Sequence, residues 1–123
     1  MSLPILDESK LQQLLDLDDG KAGLLREMTA LFKAETPRRL KAILAGIEAE
    51  SASTVMEAAH ALKGASGLMG AELVFAQARD VELKAKTGDL PPREVSMEAW
   101  SRLGEAVSDV QLAIDNFLSR VSP

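Results

Sequence analysis

Apolar residues recur along this chain at the three- and four-residue spacing of amphipathic helices, and no stretch alternates with the period of a strand. The spacing predicts a short first helix over 7–17, with Leu11, Leu14 and Leu15 on one face and Asp7 as its N-cap. Asp18-Asp19-Gly20 reads as a turn. From Lys21 a long pattern runs through Leu24, Leu25, Met28, Leu31 and Phe32, and resumes at Leu40, Ile43, Leu44 and Ile47. Thr36-Pro37 interrupts it, and a proline inside a helix removes a hydrogen bond and kinks or ends it. The apolar phase survives the break, which favours one bent helix over two in series. Ser51 or Ser53 caps the next helix, which ends near Gly70. Residues 71–86 follow almost at once, with Val74, Ala78, Val81 and Ala85 on one side and Arg79, Glu82 and Lys86 on another. Thr87-Gly88-Asp89-Leu90-Pro91-Pro92 breaks the chain again. Ser96 then opens a last helix whose Trp100, Leu103, Val107, Val110, Ile114, Phe117 and Val121 form a bundle seam.

Long amphipathic helices joined by short turns imply an all-α fold, an antiparallel four-helix bundle with a short extra N-terminal helix. With 123 residues the chain fits a single domain, 1–123, large enough to bury a core. There are no internal repeats or low-complexity tracts.

The stretch with chemical content is Ala59 to Ala71, which holds His60, the only histidine. At about 100° per residue, Val55, Ala59, Leu62, Ser66, Met69 and Leu73 gather on one face, while His60, Lys63, Gly64 and Gly67 gather on the other. The apolar face buries itself, so the imidazole should stand in solvent. Each glycine inside a helix costs about 1 kcal/mol relative to alanine. Gly64 and Gly67 on an exposed face therefore read as a surface cleared for something that approaches the histidine closely. Gly70 reads as the helix cap.

His60-Ala61-Leu62-Lys63-Gly64-Ala65-Ser66, followed by Gly70-Ala71, resembles the signature of histidine-containing phosphotransfer (HPt) domains. That signature runs His-x-Leu-Lys-Gly, two small residues, then Gly-Ala. The motif covers about a dozen residues, and the likeness in helix order and length extends over most of the chain. The resemblance implies a helical bundle with the histidine exposed midway along one helix. It implies His60 as phosphoacceptor, Lys63 as the cation that stabilises the phosphoryl group, and receiver domains of response regulators or a hybrid sensor kinase as partners. Those receivers carry the aspartate and the Mg²⁺, so no cofactor is expected in this chain. The family often places Gln or Glu on the following helix to bond the imidazole, and counting along the motif puts that role at Glu82. Lys86 matches a position that is often basic.

Plainer readings stand beside these. Lys63 alone would be an ordinary surface charge, and Glu82 could pair with Lys86 at i,i+4 for about 0.2–0.5 kcal/mol. Met28, Met56 and Met69 read as core filler or interface; Met56, Gly64, Gly67 and Lys86 are the residues expected to meet a docking partner.

Composition narrows the chemistry. Cysteine is absent and no second histidine exists, so disulfides, thiolate metal sites and His clusters are excluded. A net charge of −5, no tyrosine and only Phe32, Phe75, Phe117 and Trp100 as aromatics argue against nucleic acid as a partner. No apolar run approaches the ~20 residues of a membrane span, and no secretory signal is visible. A cytoplasmic monomer is expected. There is no Gly-x-x-x-x-Gly-Lys-[Ser/Thr], and Gly64-Gly67-Gly70 is too closely spaced to be one, so the chain cannot phosphorylate itself from ATP.

The expected function is a two-component phosphorelay intermediate that passes a phosphoryl group between receiver aspartates through His60, and not an enzyme. The alternative is an HPt-like bundle that docks receivers without carrying phosphate. An enzyme using His60 as general base is disfavoured, because no pocket or second acid–base partner is evident.

Overall fold

A computed structural model describes residues 3–18 and 21–121. Its described residues form five helices: α1 (Glu8–Leu17), α2 (Gly23–Glu48), α3 (Ala52–Leu68), α4 (Glu72–Ala85) and α5 (Arg93–Val121). Asp19 and Gly20, two of the three residues read as the first turn, lie outside the described residues.

Local chemistry sets the helix ends. Asp7 caps α1, its carboxylate accepting from Ser9 N at 3.1 Å. Ser51, rather than Ser53, caps α3 and accepts from Thr54 N. The start of α2 has no side-chain cap of its own, since Ala22 sits there at φ 64°. Asp18 Oδ2 reaches across from the end of α1 and accepts from Leu24 N at 3.0 Å. The last helix begins at Arg93, three residues before the expected Ser96. A proline just ahead of a helix sacrifices no helical hydrogen bond, because an N–H there has no partner within the helix anyway. Pro92 O accordingly accepts from Ser96 N at 3.0 Å, and the Ser96 hydroxyl donates to Pro91 O at 3.1 Å. Ser96 thus ties the turn back onto a helix already under way.

Helix α2 is continuous through Pro37. Pro37 is exposed while Thr36 beside it is buried and accepts from Gln111 Nε2 at 3.0 Å. Packing on that side holds the helix together where one backbone bond is missing.

Pairwise contacts give the topology. Between α2 and α5, Lys33 meets Asp115, Thr36 meets Gln111, and Leu40 O accepts from Trp100 Nε1, so one numbering rises as the other falls. Gly46 of α2 approaches Val55 of α3 so closely that a Cβ would lie 2.7 Å from its side chain. The α3–α4 pair runs Gly67 to Phe75 and His60 to Glu82. Each neighbouring pair is therefore antiparallel, and α2, α3, α4 and α5 close into a ring around Leu25, Ile43, Leu62, Val74, Leu103 and Ile114.

The short α1 seals one end. Asp7 N donates to Gly70 O at 2.8 Å in the α3–α4 turn, where Gly70 holds φ 74°, and Glu8 pairs with Arg120 near the end of α5. That clasp fixes the end of α3, the helix that presents His60.

Candidate functional site

The buried stripe of α3 is Val55, Ala59, Leu62 and Ser66, none more than 1% exposed. Their spacing turns the opposite face outward, and the His60 side chain is 68% exposed. It stands out from a helix anchored on both flanks, by α2 on one side and α4 on the other.

Glu82 comes up from α4 to meet it. Its Oε2 lies 2.5 Å from His60 Nδ1, and its Oε1 lies 2.7 Å from Lys63 Nζ. Only 8% of the Glu82 side chain and 24% of the Lys63 side chain are exposed. Of the two readings of Glu82, the geometry contains the contact with the imidazole and not the surface pair with Lys86, and Glu82 is among the buried residues of α4. Its position one turn from Lys86 made a surface ion pair plausible, but the carboxylate is taken up by α3. A buried carboxylate is costly unless paired, and here each oxygen has a partner.

The hydrogen bond from Lys63, foremost, and that from His60 hold the Glu82 carboxyl below its ordinary range, outweighing the upward push of burial. At neutral pH Glu82 is ionised and can only accept. Nδ1 of His60 must then donate, which leaves the lone pair of the neutral ring on Nε2. Nε2 is a free nucleophile on an exposed ring whose tautomer is set from below.

The remaining predicted residues separate. Gly64 has nothing within 4 Å of where a Cβ would be, so the backbone beside the imidazole is bare. Gly67 is different: a Cβ there would lie 3.2 Å from the Phe75 ring. Its smallness serves the close approach of α4 within the bundle rather than an open outer surface. Met56 is half-buried against the core. Lys63, expected as an exposed point charge, is half-buried and engaged by Glu82. Lys86, at the C-cap of α4, is exposed and makes no ion pair among the described residues.

Two features escaped the sequence reading. One is that Lys63 and Glu82 form a unit, which no spacing along a single helix reveals. The other is a shallow apolar groove between α2 and α3, lined by Met28, Leu31, Phe32, Ala65, Leu68 and Met69, with Leu31 and Leu68 largely exposed. Leu68 falls off the buried phase of α3, and that was the available signal.

Among the described residues, no group of three or more His, Cys, Asp or Glu is placed to hold a metal ion, and no helix is long and apolar enough to cross a membrane.

The family model for the Hpt domain matches residues 27–121. A search of curated protein sequences gave no significant match. Among solved structures, the crystal structure of histidine-containing phosphotransfer protein B (HptB) from Pseudomonas aeruginosa PAO1 superposes with a TM-score of 0.81. It is 22% identical in sequence, and the alignment covers 97% of this chain and 98% of that one. At that identity the likeness speaks to the fold, which is the five-helix arrangement described above.

Proposed function

This chain belongs to the Hpt domain family, the histidine-containing phosphotransfer proteins of two-component phosphorelays, and we propose that His60 is the residue through which it relays the phosphoryl group. As a family member it is a relay intermediate and not a catalytic enzyme. The observation that carries the assignment to His60 is its exposure together with the Nδ1 contact to a buried, ionised Glu82.

The donor in this reading is the aspartyl phosphate of a receiver domain, which also brings the Mg²⁺. Nε2 attacks phosphorus in line with the departing carboxylate oxygen. The N–P bond forms, the P–O bond breaks, and the electron pair leaves with the receiver aspartate; the reverse sequence loads a second receiver. An exposed ring on a convex surface suits a transfer in which donor and acceptor oppose each other across phosphorus.

Lys63 neutralises charge on the phosphoryl oxygens, from one helical turn away. Glu82 holds the ring in the reactive tautomer and orientation. Gly64 lets the receiver surface come down to the imidazole. Gly67, Met56 and Lys86 contribute to the surrounding docking surface, Gly67 through the close α3–α4 packing it permits. The apolar groove beside α3 supports protein docking as well. The reading carries with it receivers and a hybrid sensor kinase as partners, a monomer, and a cytoplasmic setting.

Incubation with a phosphorylated receiver should transfer acid-labile, alkali-stable phosphate onto this chain. His60→Gln should abolish the labelling and leave the helical circular dichroism unchanged, because the side chain is exposed. Labelling that persists in the variant would sink the assignment. Receiver binding without any labelling of the wild type would favour the docking-module alternative.

A further inference from the structure

The contact between Glu82 and His60 has a consequence for the phosphorylated ring as well as the free one. We propose that Glu82 keeps the proton on Nδ1 after Nε2 has been phosphorylated, so that phospho-His60 is an imidazolium held ready to release its phosphoryl group. This rests on the reading of His60 as phosphoacceptor and adds a determinant of how long the phosphorylated state lasts.

Once Nε2 is bonded to phosphorus, the ring either carries a positive charge or gives up its Nδ1 proton. Giving it up would leave the Nδ1 lone pair facing Glu82 Oε2, two acceptors at 2.5 Å in a place where the carboxylate is largely shielded from water. Passing the proton to Glu82 instead would neutralise a carboxylate whose other oxygen is bonded to Lys63 at 2.7 Å. Both exits are uphill. An opposite charge in direct contact favours the charged form of the ring.

Other charges act from further away. On α3, Glu57 and Lys63 lie within one turn of His60; on α4, Arg79 and Lys86 lie within one turn of Glu82; on the flanking α2, Glu35 and Arg39 pair with each other at 3.7 Å. None of these forms a hydrogen bond or ion pair with the ring, and Lys63 meets the far oxygen of Glu82. The contacting carboxylate therefore dominates.

The transfer then needs no proton movement at the ring in either direction. On loading, a neutral imidazole bearing its proton on Nδ1 becomes a phospho-imidazolium, balanced by the negative charge of Glu82. On unloading, the P–N bond breaks and its electron pair returns to Nε2, restoring the same neutral tautomer. The leaving group is a neutral imidazole in place of an imidazolate, so the P–N bond is weak towards a receiver aspartate and towards water.

The test uses phosphoramidate as a small-molecule donor, which removes the receiver from the experiment. Nitrogen-15 and phosphorus-31 NMR of the phosphorylated chain should show Nδ1 holding its proton at pH values where a short phosphohistidine peptide has lost it. Spontaneous loss of phosphate should stay flat across neutrality in wild type. In Glu82→Gln the inflection should fall to the peptide value, and loss at pH 8 should slow by about tenfold, as expected for one unit of lowered proton affinity. Lys63→Gln, which keeps the carboxylate, should retain the raised inflection and so separate the charge of Glu82 from general loosening of the site. A wild-type chain that takes up phosphate but titrates like the peptide overturns this inference alone. A chain that takes up no phosphate on His60 overturns the phosphoacceptor reading beneath it.

Discussion

Lys63 Nζ lies 2.7 Å from Glu82 Oε1, so the cation nearest the histidine in sequence is held by the carboxylate that also holds the histidine. Truncating Lys63 therefore does more than remove a surface charge. Glu82, 8% exposed in the native chain, keeps only one of its two partners in Lys63→Ala. The loss should cost about 1–3 kcal/mol of stability, the penalty for stripping a partner from a buried polar group. Urea unfolding would read it, and stopped-time labelling by a phosphorylated receiver should show slower transfer in the same variant. Unchanged stability would mean that solvent reaches Glu82 freely.

The two glycines of α3 should respond differently. At Gly64 a methyl group meets nothing within 4 Å, so Gly64→Ala should raise stability by about 1 kcal/mol through helix propensity. It should nevertheless slow transfer from a receiver, since the new methyl stands where the partner approaches. At Gly67 the methyl meets Phe75 at 3.2 Å, and the displaced ring should offset most of the propensity gain. Thermal unfolding of the two variants side by side makes the comparison.

That contrast shows where reading the sequence reaches its limit. A helical wheel places His60, Gly64 and Gly67 on one outward face, and for His60 and Gly64 the structure agrees. The wheel has no knowledge of the neighbouring helix, and Phe75 of α4 lies over Gly67. Glu82 was missed as a buried group for the same reason: on α4 alone it shares a side with Arg79 and Lys86, and only the crossing of α3 encloses it. The helices themselves were legible because apolar phase survives local insults, as at Pro37. The expected start of α5 falls three residues late because Pro91-Pro92 reads as an interruption, whereas Pro92 immediately precedes the helix and its carbonyl already accepts from Ser96 N.

Gly70 offers a test of the clasp at the end of the bundle. Its φ is 74°, and a Cβ would lie 2.6 Å from Asp7 O and 2.9 Å from Lys10 Cβ. Gly70→Ala should cost about 2–3 kcal/mol, combining left-handed strain with the displaced backbone of α1. Amide hydrogen exchange should rise first in Glu8–Leu17 and leave the centre of α5 protected.

Acid should weaken the protein partly through Glu82. Its carboxyl is held below the ordinary 4.5 by Lys63 and then His60, so the folded form binds the proton less readily than the unfolded chain. The resulting stability is fully present above the unfolded value and is lost as pH falls through the folded one. Chemical unfolding from pH 7 to pH 3 should show a decline below about pH 4.5 that is shallower in Glu82→Gln. Equal slopes in the two proteins would place the acid sensitivity elsewhere.

The indole of Trp100, the chain's one tryptophan, donates to Leu40 O at 2.8 Å and so sits on the seam between α5 and α2. His60 rides on α3, which meets α2 and α4 but stands diagonally across from α5. Native fluorescence should therefore follow separation of the α2–α5 seam while staying nearly blind to what happens on the imidazole. A single cuvette can thus distinguish a variant that has lost its chemistry from one that has lost its architecture.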